Sequence, residues 1–314
     1  MSARIISLGS VNVDIQLRAD RWPEAGETLL GQDFLMAGGG KAANVAWLAR
    51  NLGIEAQLIA RIGSDSLQEI ALHPLRTLGV DLSTIRSIKN ESTGVSVIMV
   101  QPNGRKGIIM APNANAVWSE EDEEFVKNAI HTAPTGSVLS VDLEVPLPIV
   151  KQAVRQAEEC GMVIVLDPSP SERLDEELLK SGCYLTPNQS EAQRLTKIPI
   201  ENHDHALEAA SRIRQHGNKG VCVKLGTGGC AIATADDQFV ISAPEVHAVD
   251  TTGAGDAFAG AFSVAMLEHQ PPEQAAVYAV AASTHAVTGY GSQSSYPTRR
   301  QIESLLQRVV LKKI

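Results

Sequence analysis

The sequence predicts an α/β protein with a mostly parallel central sheet, helices on both faces of that sheet, and a second, smaller β-sheet. Short apolar runs alternate along the chain with stretches of helical periodicity, which is the pattern of strands joined by crossover helices. Two strand-like stretches in the first third of the chain have no helix within them. With 314 residues and 44% hydrophobic content, the chain is long and apolar enough to bury a large core.

The main sheet is predicted from apolar runs that have the length and composition of buried strands. They cover residues 4–9, 56–61, 137–141, 162–167 and 221–225. Helical patterns cover residues 42–52, 148–160, 206–216, 256–269, 273–288 and 299–311. Gly53, Gly161 and Gly217 directly follow three of these helices, where a left-handed terminal residue is favoured. Strands that alternate with helices in this way favour a parallel sheet covered on both faces.

The smaller sheet is predicted from residues 28–37 and 94–111. The second stretch indicates a hairpin, because its two apolar halves flank the turn-forming residues 102–105. No internal repeat or low-complexity linker divides the chain. We therefore expect a single domain over residues 1–314, with the strands of the smaller sheet contributed by about 12–37 and 94–111.

The charge balance limits the classes of partner. Lys and Arg number 27 and Asp and Glu number 36, which gives a net charge of −9. This balance argues against nucleic acids and anionic membranes as partners, because both require a basic face. A single anionic ligand remains compatible with it, since a few backbone N–H groups can hold one.

The remaining composition bears on the compartment. Four cysteines show no C-x-x-C spacing, which favours free thiols in a reducing environment. No apolar run approaches the ~18 residues of a membrane span, and Asn12 and Asp14 interrupt the N-terminal run. We therefore expect a cytoplasmic protein with neither a signal peptide nor a membrane span.

The segment with the strongest chemical signal is residues 249–262. Gly253 and Gly255 precede a helical stretch, and a glycine-rich turn at a helix start offers unpaired N–H groups and the positive end of the helix dipole to an anion. Asp256 has two interpretations at this position. It is either a helix cap or first-turn acid, or a general base beside an anion site.

Common nucleotide-binding motifs do not match. The dinucleotide pattern G-x-G-x-x-G would need glycine where Phe258 stands. The G-x-x-x-x-G-K-[ST] pattern fails as well, because Leu35 fills its first glycine position and Ala42 its last position. The His-Arg-Asp and Asp-Phe-Gly motifs of protein kinases are also absent from the sequence.

Two further polar clusters lie near the N-terminus. Residues 38–40 are three glycines that allow a ligand to approach the backbone, and Lys41 and Asn44 follow within one helical turn. The alternative is a plain glycine turn with a solvated lysine. Asn12 and Asp14 follow the first strand at a spacing of two and so share a face, where they either bond two hydroxyl groups or form part of a turn.

Together these segments resemble the ribokinase-like (PfkB) carbohydrate kinases, and the pattern is most similar to that of ribokinases. Residues 38–44 (GGGKAAN) are similar to the N-terminal signature of the family, and residues 250–256 (DTTGAGD) to its C-terminal one. The resemblance extends over essentially the whole chain. The weaker matching motifs, in family order, are residues 91–94, 143–146, 167–170, 186–191 and 224–229.

The resemblance implies a role for particular positions. Asp256 would be the catalytic base, and the anion hole would consist of Gly253, Ala254 and Gly255. The positions expected to contact the sugar are Asn12, Asp14, Gly40, Lys41, Asn44 and Glu144. The positions expected to bind ATP are Asn188, Lys224, Gly226 and Thr227. Glu191 would hold Mg²⁺ through water, and the ligands expected for a monovalent cation, K⁺, are Asp250, Thr252, Gly291 and Ser295.

Three positions depart from the family pattern. Ala42 stands where ribokinases usually have glycine, Lys224 stands where threonine or serine is common, and Gln68 replaces the glycine of a G-D-x-x-G motif. These departures concern the sugar and the nucleotide contacts rather than the phosphoryl transfer.

The resemblance implies an ATP-dependent kinase that phosphorylates a primary hydroxyl of a small sugar, with ribose favoured. The alternatives are a fructokinase-type, 2-keto-3-deoxygluconate or nucleoside kinase, or a non-catalytic sugar- or nucleotide-binding regulator on the same fold. The smaller sheet would be a lid over the sugar and the interface of a homodimer. No nucleic acid or membrane partner is expected.

Overall fold

The computed structural model describes residues 2–314. The strands of the main sheet are β1 (Ile5–Leu8), β4 (Ala56–Gly63), β5 (Ile85–Ile88), β8 (Val138–Asp142), β9 (Val163–Asp167), β10 (Tyr184–Leu185), β11 (Gly220–Lys224), β12 (Cys230–Thr234), β13 (Gln238–Ser242) and β14 (Val310–Lys313). The strands of the second sheet, which we call the small sheet, are β2 (Asn12–Arg18), β3 (Gln32–Gly39), β6 (Gly94–Val100) and β7 (Lys106–Ala111). The helices are α1 (Lys41–Asn51), α2 (Leu67–Leu78), α3 (Glu120–His131), α4 (Leu147–Glu159), α5 (Glu176–Leu179), α6 (Gln189–Thr196), α7 (His203–Arg214), α8 (Ala254–Leu267), α9 (Pro272–Ala286) and α10 (Arg299–Leu306).

The main sheet is mostly parallel, as the sequence predicts. Its strand order is β14-β13-β12-β11-β10-β9-β8-β1-β4-β5. The pairs from β11 through β5 are parallel, and the pairs that join β11, β12, β13 and β14 are antiparallel. β1 lies in the middle of the parallel part, where Ile5 is in register with Ala56 on one side and Val138 on the other. The carboxyl ends of the parallel strands therefore meet at one edge.

Helices cover both faces of the main sheet. Along β1, Ile5 packs into a core that includes α1, α8 and α9, whereas Ile6 packs into a second core that includes α3, α4 and α7. This alternation follows from the period of two along a strand. Helix α8 is buried on nearly all sides because it lies between α1 and α9, which explains its run of alanine, glycine and phenylalanine.

The small sheet has the order β3-β2-β6-β7, with β2 and β6 parallel and the two outer pairs antiparallel. The predicted hairpin is present, since Val100 pairs with Lys106 across its link. The chain enters the small sheet only three residues after β1 ends, and returns from it directly into α1. The sheet consequently lies beside the carboxyl end of β1.

The end of the chain differs from the sequence prediction. The helical pattern of residues 299–311 is followed only as far as Leu306, and Val310–Lys313 form the edge strand β14, in which Leu311 pairs with Ile241. Apolar residues continue at helical spacing past Leu306. The edge of β13, however, offers hydrogen-bond partners to the backbone of residues 310–313, which the end of a helix does not. Among residues 2–314, none of the helices combines the length and hydrophobicity that a membrane-spanning segment needs.

Candidate active site

A cavity of about 1060 Å³ lies between the small sheet and the carboxyl ends of the main-sheet strands. Every residue that the resemblance assigns to catalysis, sugar, ATP or Mg²⁺ lines this cavity. Of the four positions expected to bind a monovalent cation, Thr252 lines the cavity, while Asp250, Gly291 and Ser295 lie behind it. Residues from opposite ends of the chain thus form one site.

The glycine turn (residues 253–255) opens α8. Gly253 has φ 70°, a left-handed conformation, and a Cβ there would overlap the Tyr296 hydroxyl and Ser292. Tyr296 Oη donates a hydrogen bond of 3.0 Å to the carbonyl oxygen of Gly253 and so fastens the turn. Backbone N–H groups at the start of a helix have no partner within it and can bind an anion; of those in α8, Ala254 N also donates a long hydrogen bond of 3.3 Å to Thr251 O.

Asp256 is the third residue of α8, and its carboxylate is not used to cap the helix. Asn44 Nδ2 donates to Oδ2 at 2.8 Å, and Lys41 Nζ lies 3.3 Å from Oδ1. Gln293 Nε2 in turn donates to Asn44 Oδ1 at 3.1 Å, which sets the direction of the Asn44 amide. The carboxylate is therefore buried, oriented and directed into the cavity rather than toward its own helix.

Lysine and aspartate alternate across the floor of the cavity. Lys41 Nζ lies 3.8 Å from Asp167 Oδ1, and Lys224 Nζ donates to Asp167 Oδ2 at 3.0 Å. Burial by itself lowers the pKa of Lys41, but Asp167 and Asp256 outweigh it, so the pKa lies well above its ordinary value. Burial raises the pKa of Asp167, and Lys224 and Lys41 outweigh that effect and lower it. Both partners consequently stay charged at neutral pH.

The part of the cavity under the small sheet is rich in hydrogen-bonding groups. Asn12 Oδ1 accepts from Asn115 Nδ2 at 2.8 Å, and Asn12 Nδ2 donates to Ser96 Oγ at 3.3 Å. Burial is the main reason that the pKa of Asp14 rises to about 7. Glu144 accepts a 2.6 Å hydrogen bond from Ser10 Oγ, and burial raises its pKa as well. Such a surface suits a neutral ligand with several hydroxyl groups.

The opposite part of the cavity is formed by the start of α6 and the β11–β12 link. Asn188 and Glu191 form a reciprocal capping box: Asn188 Oδ1 accepts from Glu191 N at 3.0 Å, and Glu191 Oε2 accepts from Asn188 N at 2.8 Å. Gly226 N donates to Gln189 Oε1 at 3.2 Å, and Thr227 is exposed beside it. This part is open and can accommodate a large ligand.

Sequence reasoning missed several residues of the site. Asp142 accepts hydrogen bonds from Ser10 N and Glu144 N, and Asp167 connects Lys41 with Lys224. Both aspartates are the last residue of a buried parallel strand, which is a signal that could have identified them. Lys106 lines the cavity from the small sheet, and no local pattern distinguishes it from a solvated lysine.

The residues expected near Mg²⁺ provide oxygen ligands. Glu191 is buried, lines the cavity and uses Oε2 in its capping box. Within residues 2–314 no group of three or more His, Cys, Asp or Glu side chains could hold a metal ion. This donor set fits Mg²⁺ that is bound mainly by phosphate oxygens and water.

The residues expected near K⁺ lie together but are occupied by protein donors. Asp250 Oδ1 accepts from Thr252 N and Oγ1 at 2.8 and 2.7 Å, and Oδ2 accepts from Gln16 Nε2 and Gly291 N at 2.6 and 3.0 Å. Ser295 Oγ donates to Gly291 O at 2.9 Å. Because each carboxylate oxygen already has two donors, a cation would have to replace one of them.

Known proteins are similar to this chain in sequence and in fold. Residues 2–299 match the family described as pfkB family carbohydrate kinase. A ribokinase of Haemophilus influenzae is 34% identical over 307 residues, which is 98% of this chain and 99% of the relative. A deoxyribokinase of Salmonella typhi is 31% identical and covers 96% of this chain and 98% of its own length.

Solved structures agree with this relationship. A structure of Arabidopsis thaliana ribokinase complexed with ribose and ATP superposes with a TM-score of 0.82 at 32% identity, and covers 98% of this chain and 99% of its own. The expected fold class, with a large mostly parallel sheet and a separate small sheet, is confirmed. The chain belongs to the pfkB family of carbohydrate kinases.

Proposed function

We propose that this protein transfers the γ-phosphoryl group of ATP to a primary hydroxyl of ribose. The observation that carries this proposal is the position of the Asp256 carboxylate, which lies beside the glycine turn and faces a cavity rich in hydroxyl-binding groups. The relatives support it, since one named ribokinase covers nearly the whole chain and a ribokinase of the same fold binds ribose and ATP.

Asp256 is proposed to take the proton of the attacking hydroxyl. The hydroxyl oxygen then forms a bond to the γ-phosphorus, the bond to the ADP oxygen breaks, and the proton is held on the carboxylate until it leaves to solvent. Asn44 fixes the direction of the carboxylate, and Lys41 provides positive charge between it and the phosphoryl group. The N–H groups of Gly253, Ala254 and Gly255 stabilise the charge on the transferring oxygens.

The sugar is proposed to bind under the small sheet, in contact with Asn12, Asp14 and Glu144. Gly40 also lines this part of the cavity, and its φ of 95° and its contact with the backbone of Ser10 and Val11 leave no room for a side chain there. Asn188, Lys224, Gly226 and Thr227 form the proposed ATP surface on the opposite side. Mg²⁺, when bound, neutralises charge on the phosphates, and Glu191 is proposed to hold it through water.

A monovalent cation, K⁺, is proposed as an activator at Asp250, Thr252, Gly291 and Ser295. The hard oxygen ligands of this set suit an alkali cation. Of the groups that donate to Asp250, the side chains of Gln16 and Thr252 are the ones proposed to withdraw, one at a time, when the cation binds.

We also propose that residues 1–314 form one domain in which the small sheet is a lid, and that its outer face joins two copies in a homodimer. Phe34 is 67% and Ile109 is 76% exposed, and Val97 lies beside Ile109 across the β6–β7 pair. Exposed apolar side chains grouped in this way are typical of an interaction surface. Because ATP is the phosphoryl donor, we propose the cytoplasm as the site of the reaction.

The direct test is an assay of ADP formation with the purified protein. Ribose, 2-deoxyribose, fructose, 2-keto-3-deoxygluconate and a nucleoside are supplied in turn, with ATP and Mg²⁺. We expect the highest kcat/KM with ribose. A higher kcat/KM with another acceptor would identify that acceptor, instead of ribose, as the substrate. If none of them led to ADP formation, the protein would be a non-catalytic regulator.

A further inference from the structure

Lys106 comes from the small sheet and yet lies against the segment that leads into the glycine turn. It is the first residue of β7, and it lines the same cavity as Gly253 and Asp256. Its Nζ donates a hydrogen bond of 3.0 Å to the carbonyl oxygen of Thr251, two residues before Gly253. The β6–β7 hairpin therefore delivers a cation to the place where the phosphoryl group is transferred.

A second contact fixes the same junction. Thr251 Oγ1 donates to the carbonyl oxygen of Gly104, at 3.2 Å, in the link between β6 and β7. That link is closed by hydrogen bonds from Gly104 N to Gln101 O and from Gln101 N to Arg105 O, at 2.9 and 2.8 Å. Because the hairpin tip and Thr251 are bonded in both directions, the position of Lys106 is set by the fold.

Lys106 has donors to spare. An ammonium group carries three N–H donors, and in the described part of the chain the Thr251 carbonyl is the acceptor within hydrogen-bonding distance. Burial lowers the pKa of Lys106 and Lys41 adds to that effect, whereas the carboxylates of Asp256, Asp250 and Asp14 oppose it and favour the charged form. The remaining donors are thus available to an anion bound beside Asp256.

We propose that Lys106 is a catalytic residue that binds the γ-phosphoryl group of ATP from the side of the small sheet. This inference rests on the proposed function, since it requires ATP as the donor. In this arrangement Lys41 and the glycine turn contact the phosphoryl group from the side of the main sheet, and Lys106 contacts its oxygens from across the cavity. Its charge is fixed there before the reaction, and a charge that is already in place stabilises the transition state most effectively.

The step balances without a proton transfer by Lys106. The sugar oxygen forms its bond to phosphorus, the bond between phosphorus and the ADP oxygen breaks, and Asp256 takes the hydroxyl proton. Lys106 stays an ammonium group throughout. Because it belongs to the small sheet, the full set of donors lies in the part of the cavity that this sheet covers, which disfavours transfer to water.

The test compares three variants. Lys106→Met removes the charge and keeps an unbranched chain, whereas Lys106→Arg keeps the charge. Arg105→Met is the matched control, because Arg105 is the exposed neighbouring cation on the same hairpin and does not line the cavity. Dissociation constants for ADP and for the non-hydrolysable analogue AMP-PNP, both with Mg²⁺, are measured by calorimetry, together with kcat and the melting temperature.

We expect Lys106→Met to weaken the binding of AMP-PNP about 10-fold more than the binding of ADP, and to lower kcat about 10²-fold. Lys106→Arg should restore part of the affinity for AMP-PNP and part of kcat, and Arg105→Met should match the wild type in both. An unchanged ratio of AMP-PNP to ADP affinity in Lys106→Met would overturn the proposal and leave Lys106 with only the structural role of a hydrogen bond to Thr251. This ratio needs no turnover, so it is independent of whether the wild type phosphorylates ribose, which tests the proposed function separately.

Discussion

Asn44 donates a hydrogen bond of 2.8 Å to Asp256, although the two residues are 212 positions apart in the chain. Asn44 lies in the first turn of α1 and Asp256 in the first turn of α8, so the N-termini of both helices face one cavity. Gln293 holds the Asn44 amide from the other side. This arrangement fixes the carboxylate that we propose as the base, and it suggests several tests.

Asp256→Asn should abolish turnover while the affinity for the sugar stays within roughly tenfold of the wild type. The amide keeps the size of the side chain but cannot accept the hydroxyl proton, and loss of a general base costs ~10²–10⁴ in rate. Steady-state kinetics and calorimetry with ribose provide the two values. Retention of more than about a tenth of the wild-type kcat would contradict the role of Asp256.

Asn12→Ala and Asp14→Ala should each weaken binding of the sugar more than binding of ATP. Both side chains belong to β2, on the face of the small sheet that covers the cavity, and they lie on the opposite side of the cavity from Asn188 and Thr227. Calorimetric titrations with ribose and with AMP-PNP measure the two affinities separately. Equal losses for both ligands would argue against this placement of the sugar.

Asp14 should make the free energy of unfolding depend on pH. Burial raises its pKa to about 7 from 3.8, so between about pH 4 and pH 7 the folded state binds more protons than the unfolded state. The stability contributed by the neutral carboxyl is complete below pH 3.8 and is lost as pH rises through 7, by up to about 4 kcal/mol. The side chain of the Asp14→Asn variant does not titrate in this range. Its free energy of unfolding, measured by urea denaturation, should therefore increase relative to that of the wild type from pH 5 to pH 8. A difference between the two proteins that does not change with pH would show that Asp14 is ionised normally.

K⁺ should raise kcat more than it raises sugar affinity, because an ordered glycine turn matters most in the transition state. Since Gln16 Nε2 occupies Asp250 Oδ2, Gln16→Met should lower the K⁺ concentration needed for half-maximal activation several-fold. The assay replaces KCl with tetramethylammonium chloride at equal ionic strength. The same kcat in both salts, for wild type and variant, would mean that Asp250 only anchors the turn.

Ile109→Glu should convert a dimer into monomers, because it places a charge on the exposed apolar face of the small sheet. Val310→Glu is the matched control, since Val310 is 61% exposed on β14, an edge strand of the other sheet. Light scattering after size-exclusion chromatography measures the mass. A monomeric wild type, or a variant that remains dimeric, would exclude this face as the interface.

Local patterns in the sequence are enough to predict the fold class, the hairpin of the small sheet and the glycine turn with Asp256. These features are encoded locally: apolar periods of two and 3.6 indicate strands and helices, and two glycines before a helix indicate an anion site. The contiguous motifs around Lys41 and Asp256 were sufficient to indicate the family.

The way in which distant residues combine becomes visible only in the folded chain. Asp167 links Lys41 to Lys224, Gln16 occupies a carboxylate oxygen of Asp250, and Lys106 reaches Thr251 from another sheet. The same holds for the last strand, where pairing with β13 overrides a helical pattern. The position of Asp167 at the end of a strand is a local signal, but its partners and the other contacts leave none in neighbouring residues, because the energy of a buried charge or an edge strand depends on the groups that folding places beside it.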